Sequence, residues 1–354
     1  MRHPTSTSGD GAIVIARQGS FYVGGRQVTA SGSYDGATTA TPSNAGQTFW
    51  IDQMYVQYQV PPDARKLPLV LVHGGCGTGA VWESTPDGRE GFQTIFLRRG
   101  FAVYIVDAPR GGRSGFPGFN GELGRLDDEQ QIVPPRTARV GREHGWSRWR
   151  MGPAYPQVFP VQAFAMEAVE PFMKTVRTIV SDEPEGISRA LIALLDRIGP
   201  AVLVTHSNSG LWGWLTAARS PLVRAVVSYE PSCVFPPGEA LPEGPARSSA
   251  QPAGTLVTSE EFSNLAKIPV QVVFGDNIPS QPVRDQPADG RRLQVQDTAR
   301  FVEALNRRGG QASRLMLPDL GLRGNSHFMF QDRNNVEVAD LLSQFLASHG
   351  LDAR

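Results

Sequence analysis

Short apolar runs alternate with helix-like stretches along most of the chain. Phe21–Val28 and Met54–Val60 alternate apolar and polar residues, as the strands of an antiparallel edge pair do. A helical pattern over Val336–Leu346 lies near the end of the chain. Continuous apolar runs, typical of buried parallel strands, occupy Leu67–Val72, Val103–Val106, Ala201–Thr205, Arg224–Tyr229, Pro269–Phe274 and Arg314–Leu317. The pattern predicts an α/β protein with a mostly parallel central sheet flanked by helices.

This series is interrupted over residues 116–196, where proline, charged and aromatic residues mix. The segment is predicted to be a cap or lid insertion between an N-terminal part of the core, 1–115, and a C-terminal part, 197–354, because α/β enzymes often carry lids in such excursions. The local patterns predict helices at Phe164–Thr178 and Glu185–Ile198, and loops at Gln130–Arg142 and Pro236–Pro252.

Composition narrows the class of protein. The 354 residues suit one large domain or a domain with an insertion, and 40% of them are hydrophobic. The 34 basic and 34 acidic residues balance, so neither nucleic acid nor an anionic membrane is an expected partner. The polar Met1–Asp10 start lacks the apolar core of a signal peptide, so the chain is expected to be cytoplasmic or a mature form without its leader.

Two cysteines, Cys76 and Cys233, are too few for a disulfide framework, and their spacing matches no zinc motif. They are expected to be buried thiols, with no bridge between them. Neither a metal nor a cofactor is predicted.

Ser207 is the candidate nucleophile. The apolar strand Val202–Val204 leads through Thr205 and His206 to Ser207, and Asn208, Ser209 and Gly210 follow. A nucleophile elbow has this form, because its strained strand-to-helix turn requires small neighbouring residues. Thr205 and Ser209 stand where the common pattern has two glycines. An alternative interpretation is a strand-to-helix turn capped by Ser207.

His327 is the candidate base among the six histidines of the chain. It follows Gly324, Asn325 and Ser326 in a small polar loop between the last predicted strand and the last predicted helix, where this architecture presents its base. His73 and His206 precede turns, and we expect them to give structural support.

The acid that orients the base has two candidates, Glu230 and Asp276, each of which follows a predicted strand. The usual hydrolase aspartate lies three residues after the glycine that ends the late strand, and Ile278 occupies that place here. Glu230 ends its apolar run directly, at the edge of a parallel sheet where active sites lie. We therefore favour Glu230 over Asp276.

Backbone donors for an oxyanion are expected from the turn His73–Gly79, whose glycines let a ligand approach closely. We assign the amides of Gly75 and Asn208, with Cys76 as the alternative to Gly75. A phosphate-binding loop would need a following Gly-Lys-Ser/Thr, which is absent.

Together these residues resemble the α/β-hydrolase superfamily, in which Asp107–Gly115 looks like the turn after a core strand. More narrowly, the chain is similar to a group of bacterial esterases with a vicinal disulfide at the oxyanion hole and a Ser-Glu-His triad. The resembling runs are Gly19–Gly25, Asp52–Val56, Trp82–Arg89, Gly324–His327 and Gln331–Asn335.

The resemblance implies Ser207 as nucleophile, Glu230 as acid and His327 as base. It also implies an exported protein and makes a homodimer plausible. One departure stands out: where the family has two adjacent cysteines, this chain has Gly75 and Cys76, so the vicinal disulfide cannot form.

The predicted function is that of a serine carboxylic-ester hydrolase that acts through an acyl-enzyme on a small or aromatic ester. Cys76, Trp82 and Trp212 are candidate substrate contacts, and a small-molecule ester is the expected partner. Lactonase, amidase and thioesterase activities use the same triad and stay open, as does a ligand-binding protein of this fold without catalysis.

Overall fold

A central sheet of eight strands organises the chain in the computed structural model. The structure describes residues 11–37, 44–115, 137–180, 183–239 and 254–354, together with the backbone of four two-residue strands between 118 and 133. The strands of the large sheet are β1 Arg17–Thr29, β2 Thr48–Val60, β3 Leu69–Val72, β4 Val103–Asp107, β5 Ala201–His206, β6 Val223–Tyr229, β7 Pro269–Phe274 and β8 Gln311–Met316.

The strand order across the sheet is β1, β2, β4, β3, β5, β6, β7, β8. β2 pairs antiparallel with both β1 and β4, and the remaining pairs are parallel. This arrangement confirms the predicted α/β class, with the two alternating segments at the antiparallel edge. Because β3 and β5 are neighbours, the turns that follow them lie side by side at one edge of the sheet.

The helices are α1 Phe92–Arg98, α2 Arg142–Arg148, α3 Val169–Thr175, α4 Pro184–Ile198, α5 Ser209–Arg219, α6 Ser259–Leu265, α7 Gln286–Arg307 and α8 Asn335–Ser348. Short 3-10 helices occupy Gly79–Trp82, Gly112–Ser114, Met166–Ala168 and Leu317–Leu320. Two-residue strands pair Gly118–Phe119 with Glu122–Leu123, Arg125–Leu126 with Ile132–Val133, Thr137–Ala138 with Ile179–Val180, and Val234–Phe235 with Thr255–Leu256. In the described ranges, no helix has the length and apolar character that a membrane crossing requires.

Both faces of the sheet are buried, which explains the unbroken apolar runs of its parallel strands. In β3, Val70 and Val72 belong to the core that contains residues of α4, α5, α6 and α7, whereas Leu69 and Leu71 belong to the core that contains residues of α1 and α8. The second core also includes aromatic side chains from residues 146–172. The predicted insertion therefore contributes to the main core of the molecule.

Two predicted helices of the insertion have different outcomes. α4 matches the predicted Glu185–Ile198, and it packs against α5 and the β1–β2 edge. The predicted Phe164–Thr178 helix is shorter at both ends. A 3-10 helix at Met166–Ala168 precedes α3, and α3 ends at Thr175, after which the chain becomes extended at Val176. The β-branched residues that follow favour this extended backbone.

Several predictions fall partly or wholly on residues outside the described ranges. These are the Gln130–Arg142 loop as far as residue 136, most of the Pro236–Pro252 loop, and the first part of the proposed lid, residues 116–136. In the described remainder of the first loop, Thr137–Ala138 forms a short strand and Arg142 begins α2. The three-part division at 115 and 196 stays a prediction.

Helix α5 approaches the sheet closely because two of its residues are glycines. A Cβ on Gly210 would lie 2.2 Å from Cβ of Pro231, and a Cβ on Gly213 would lie 2.8 Å from the Thr205 side chain. These contacts fix the helix directly behind the turn that carries Ser207.

The substitution Gly210→Ala is therefore expected to destabilise the fold by about 1–3 kcal/mol, the usual cost of overpacking. The matched control is Gly186→Ala in α4, where the new methyl group would contact nothing closer than 3.6 Å and better helix propensity should preserve or raise stability. Urea unfolding would measure both changes. Equal stability of the two variants would contradict the packing argument.

Candidate active site

Ser207 lies in a strained turn directly after β5. Its φ of 57° is in the left-handed region, which a serine adopts at a cost of roughly 1–3 kcal/mol. The Ser207 amide donates to the Tyr229 carbonyl at 2.9 Å, and the Gly210 amide donates to the Ser207 carbonyl at 3.0 Å. The turn is thus held from β6 on one side and by α5 on the other, and the Ser207 side chain lines a cavity.

The two departures from glycine in this turn are accommodated by hydrogen bonds. The buried Ser209 hydroxyl accepts from the His206 amide at 2.8 Å, and it lies 2.9 Å from the carbonyl oxygens of both Val72 and His206. The Thr205 and Ser228 hydroxyls are 2.6 Å apart. Ser209 therefore ties the turn to β3, a function that glycine could not supply.

The loop that carries His327 is anchored from two directions. The His327 amide donates to the Trp149 carbonyl at 3.0 Å. Behind the loop, the buried carboxylate of Asp332 accepts from the Ser326 amide at 2.7 Å and from the Ser326 hydroxyl at 2.8 Å. These contacts leave the imidazole facing the sheet edge near Ser207.

Glu230, not Asp276, contacts the imidazole. Glu230 Oε2 lies 2.6 Å from His327 Nδ1, and its other oxygen accepts from the Gly275 amide at 3.0 Å. The Asp276 carboxylate instead accepts from two backbone amides, those of Gly324 and Asn277, both at 2.7 Å. Asp276 therefore holds the loop backbone, while Glu230 orients the His327 imidazole.

Arg150 forms a buried ion pair with Glu230, because its two terminal nitrogens donate to the two carboxylate oxygens. Burial alone would raise the pKa of Glu230, but Arg150 and His327 outweigh that effect and hold the pKa well below its usual range. Glu230 is thus ionised at neutral pH.

The imidazole of His327 is neutral at the same pH. Burial, the Arg291 cation and the nearby His206 ring lower the pKa of His327 well below 6.5, against the opposing effect of Glu230. With Nδ1 protonated toward Glu230, Nε2 carries the lone pair that a base needs.

In this structure the Nε2 lone pair is directed at Arg291. Arg291 Nη2 lies 3.1 Å from His327 Nε2, and the guanidinium is almost fully buried. No hydrogen bond joins Ser207 to His327 among the described residues, although both line the same cavity. The structure therefore brings Ser207 and His327, the candidate nucleophile and base, to one cavity without placing them in contact.

His73 and His206 have structural positions, as their places before turns suggested. His73 Nδ1 donates to the Gly74 carbonyl at 2.7 Å and its Nε2 accepts from the Ala108 amide at 3.0 Å. His206 Nε2 donates to the His327 carbonyl at 3.0 Å. Burial lowers the pKa of His73 to about 4 and that of His206 to about 3, so both rings are neutral.

Gly75 and Asn208 lie against each other on the cavity wall. A Cβ on Gly75 would be 2.5 Å from Asn208 Nδ2, so the Asn208 side chain fills the space that a side chain at position 75 would need. Within the described part of the chain, neither backbone amide donates to another residue. Two unused donors on one cavity are what an oxyanion hole requires.

The cavity has a volume of about 240 Å³. Cys76 lines it, but Trp82 and Trp212 do not. Trp82 stacks on Phe330 with 4.0 Å between ring centroids, and both tryptophans are buried in the core. We therefore leave the two tryptophans out of the proposed binding site.

Both cysteines are thiols, and they are not joined to each other. Cys233 is buried in the opposite core with its Sγ 3.4 Å from Thr298 Oγ1.

Sequence reasoning missed Arg150 and Arg291. Arg150 is 80 residues from Glu230 along the chain, and Arg291 lies on α7, 36 residues before His327. No spacing motif links such partners, and only the fold brings them together.

Three features of this site define the α/β-hydrolase class. They are a serine on a strained turn after β5, a carboxylate residue after β6, and a histidine in the loop before the last helix. No protein-family model matches the chain. A structure described as that of a novel bacterial esterase is 33% identical, covers 98% of this chain and 99% of its own, and has a TM-score of 0.78. The probable secreted lipase phiG of Fungal sp. (strain ATCC 74256) is 28% identical over 320 residues, 82% of this chain and 84% of its own.

The chain belongs to the α/β-hydrolase superfamily. Its similarity to the bacterial esterase extends over nearly the whole length of both chains, so residues of the predicted insertion are included as well as those of the sheet.

The contact between Gly75 and Asn208 leads to a compensation experiment. Gly75→Ala should displace the Asn208 side chain or the loop, and a shift of about 1 Å in an oxyanion donor costs about 100-fold in rate. In the double variant Gly75→Ala/Asn208→Ala the space reopens, and much of the activity on an activated ester should return. A double variant that is no more active than Gly75→Ala would contradict the proposed steric cause.

Proposed function

We propose that the chain is a serine carboxylic-ester hydrolase in which Ser207, His327 and Glu230 act as nucleophile, base and acid. The observation that carries the proposal is the buried hydrogen bond between Glu230 and His327, on the same cavity as the strained Ser207 turn. A pure binding site has no need of an oriented neutral imidazole beside a serine.

The class, carboxylic-ester hydrolase, has separate support. One relative is an esterase of the same length and architecture, and another is a probable lipase. The chain is a carboxylic-ester hydrolase by this similarity, whereas the roles of individual residues rest on geometry and chemistry.

The reaction begins when His327 Nε2 takes the Ser207 proton as the serine oxygen attacks the ester carbonyl. Glu230 keeps Nδ1 protonated and stabilises the imidazolium that forms. The amides of Gly75 and Asn208 donate to the developing oxyanion. Collapse of the tetrahedral intermediate expels the alcohol, protonated by His327, and leaves an acyl-enzyme that water hydrolyses by the same steps.

Arg291 imposes one condition on this sequence. Nε2 has a single lone pair, so it cannot accept from Arg291 and from Ser207 at the same time. The contact at 3.1 Å must therefore open before the proton transfer. Arg291 acts here through His327 and is a positioning residue.

Replacement Ser207→Ala is expected to lower kcat on an activated ester by about a million-fold, as loss of a triad serine does. The control Ser263→Ala removes a hydroxyl that donates only to the Ser259 carbonyl on α6 and should leave activity unchanged. Stoichiometric labelling of the wild-type protein by a fluorophosphonate, with the adduct on Ser207, would exclude a non-catalytic binding protein. Near-normal turnover by Ser207→Ala would refute the assignment.

The pH dependence follows from the lowered pKa of His327. The neutral imidazole is the active base, so kcat/KM should stay constant as the pH falls until well below 6.5. Arg291→Met removes a cation that lowers the pKa of His327. The fall of kcat/KM on the acid side of its pH profile should therefore occur at higher pH. Arg291→Lys keeps the charge, and Arg307→Gln on the same helix affects only exposed pairs with Glu239 and Glu303. Both variants should keep the acid side of the kcat/KM profile near its wild-type position. An unchanged profile in Arg291→Met would contradict the proposed effect of Arg291 on the pKa of His327.

A further inference from the structure

Arg148 is half-buried, and it differs from the buried arginines Arg110, Arg150 and Arg291. Arg110 pairs with Asp52, Arg150 with Glu230, and Arg291 contacts Gln294 and His327. The Arg148 guanidinium lines the active-site cavity, yet in the described part of the chain it forms no hydrogen bond and no ion pair. Burial lowers the pKa of Arg148, and in the described structure the Cys76 thiol acts against this effect but no carboxylate does. A cation withdrawn from water without a carboxylate partner is costly, so an anionic partner is expected from elsewhere.

The charge balance around the cavity points in the same direction. Arg291 is close enough to both Arg148 and Arg150 for charge repulsion, and the Glu230 carboxylate pairs with Arg150 and Arg291 but not with Arg148. The cavity lining also includes Arg139 and His144, and no aspartate or glutamate is among its described residues. Another buried carboxyl group, that of Asp332, accepts a hydrogen bond from Ser326 in the loop that carries His327. Burial raises the pKa of Asp332 to about 7.

The position of Arg148 is tightly fixed relative to the base. It is the last residue of α2, and its carbonyl accepts from Arg291 Nε at 3.4 Å. The next residue, Trp149, accepts from the His327 amide, and Arg150 pairs with Glu230. The backbone that carries Arg148 is thus tied to the segments that carry His327 and Glu230, and a group bound by its guanidinium would lie in the cavity that Ser207 also lines.

We propose that the substrate is an ester that carries a carboxylate, and that Arg148 binds this carboxylate. The planar guanidinium offers paired donors that match the two oxygens of a carboxylate. A cavity of about 240 Å³ suits a small ester. The proposal rests on the proposed function, since the ester carbonyl must lie at Ser207 while the carboxylate lies at Arg148.

Two pairs of substrates test it, each differing only in charge. Monomethyl glutarate carries the carboxylate on the acyl part, and its neutral counterpart is the methyl ester of glutaric acid monoamide. Meta-acetoxybenzoate carries it on the leaving group, with meta-acetoxybenzamide as the neutral counterpart. For at least one pair, the wild-type kcat/KM should be about tenfold or more higher for the anion, the size of one charged hydrogen-bonded contact.

In Arg148→Gln, kcat/KM for the preferred anion should fall by about 10- to 100-fold, mainly through KM, with less than about a threefold change for its neutral counterpart. Arg148→Lys should recover part of the loss because it keeps the charge without the paired donors. The matched control is Arg142→Gln on the same helix, whose side chain is exposed and pairs with Glu143. It should leave both substrates unaffected.

Equal losses on the charged and neutral esters in Arg148→Gln would overturn the proposal, because Arg148 would then be a structural residue. So would a wild-type protein that hydrolyses neutral esters and shows no preference for the anion. These results differ from failure of the proposed function, in which neither pair is hydrolysed and a fluorophosphonate leaves Ser207 unlabelled.

Discussion

The site depends on the ion pair and hydrogen bonds of the Glu230 carboxylate. It is fully buried, and it accepts from Arg150, from His327 Nδ1 and from the Gly275 amide. A buried charge of this kind is tolerable only when its partners are all present, and removing one typically costs about 3–5 kcal/mol. These contacts therefore join the end of β6, the end of β7, the loop that carries His327 and the segment after α2.

Backbone strain at the ends of neighbouring strands accompanies the Glu230 interactions. Ser207, Glu230 and Asn277 follow three successive strands of the sheet, and each has a φ between 49° and 57°. Such backbones persist only where surrounding contacts over-determine them. At Ser207 and Glu230 those contacts are backbone hydrogen bonds to the next strand, to Tyr229 and Val273 respectively. Sheet pairing thus holds the strained backbone at the ends of β5 and β6.

Much of the fold could be predicted from sequence because its signals are local. The unbroken apolar runs reflect burial on both faces, and the residues after β5 and β6 occupy the carboxyl ends of parallel strands by topology alone. What could not be predicted depends on distant partners. The buried places of Trp82 and Trp212 depend on packing against residues far along the chain, and an aromatic side chain looks the same in a sequence whether it lines a pocket or a core.

The same limit applies to charge. Arg148 and Arg150 look alike in the sequence, two residues apart, yet one has a buried carboxylate and the other has none in the described structure. Hydrogen-bond geometry, not residue type, separates a structural cation from one available to a ligand.

The segment from Trp149 to Arg150 has a consequence for engineering. Insertions on α/β scaffolds are often treated as exchangeable modules, joined to the core only at their two ends. Here the predicted insertion contributes residues to the core, and it supplies both the Trp149 carbonyl that accepts from the His327 amide and the Arg150 cation that pairs with Glu230. A chimera that exchanges the whole insertion would lose both groups, so any graft has to keep these two residues as part of the recipient.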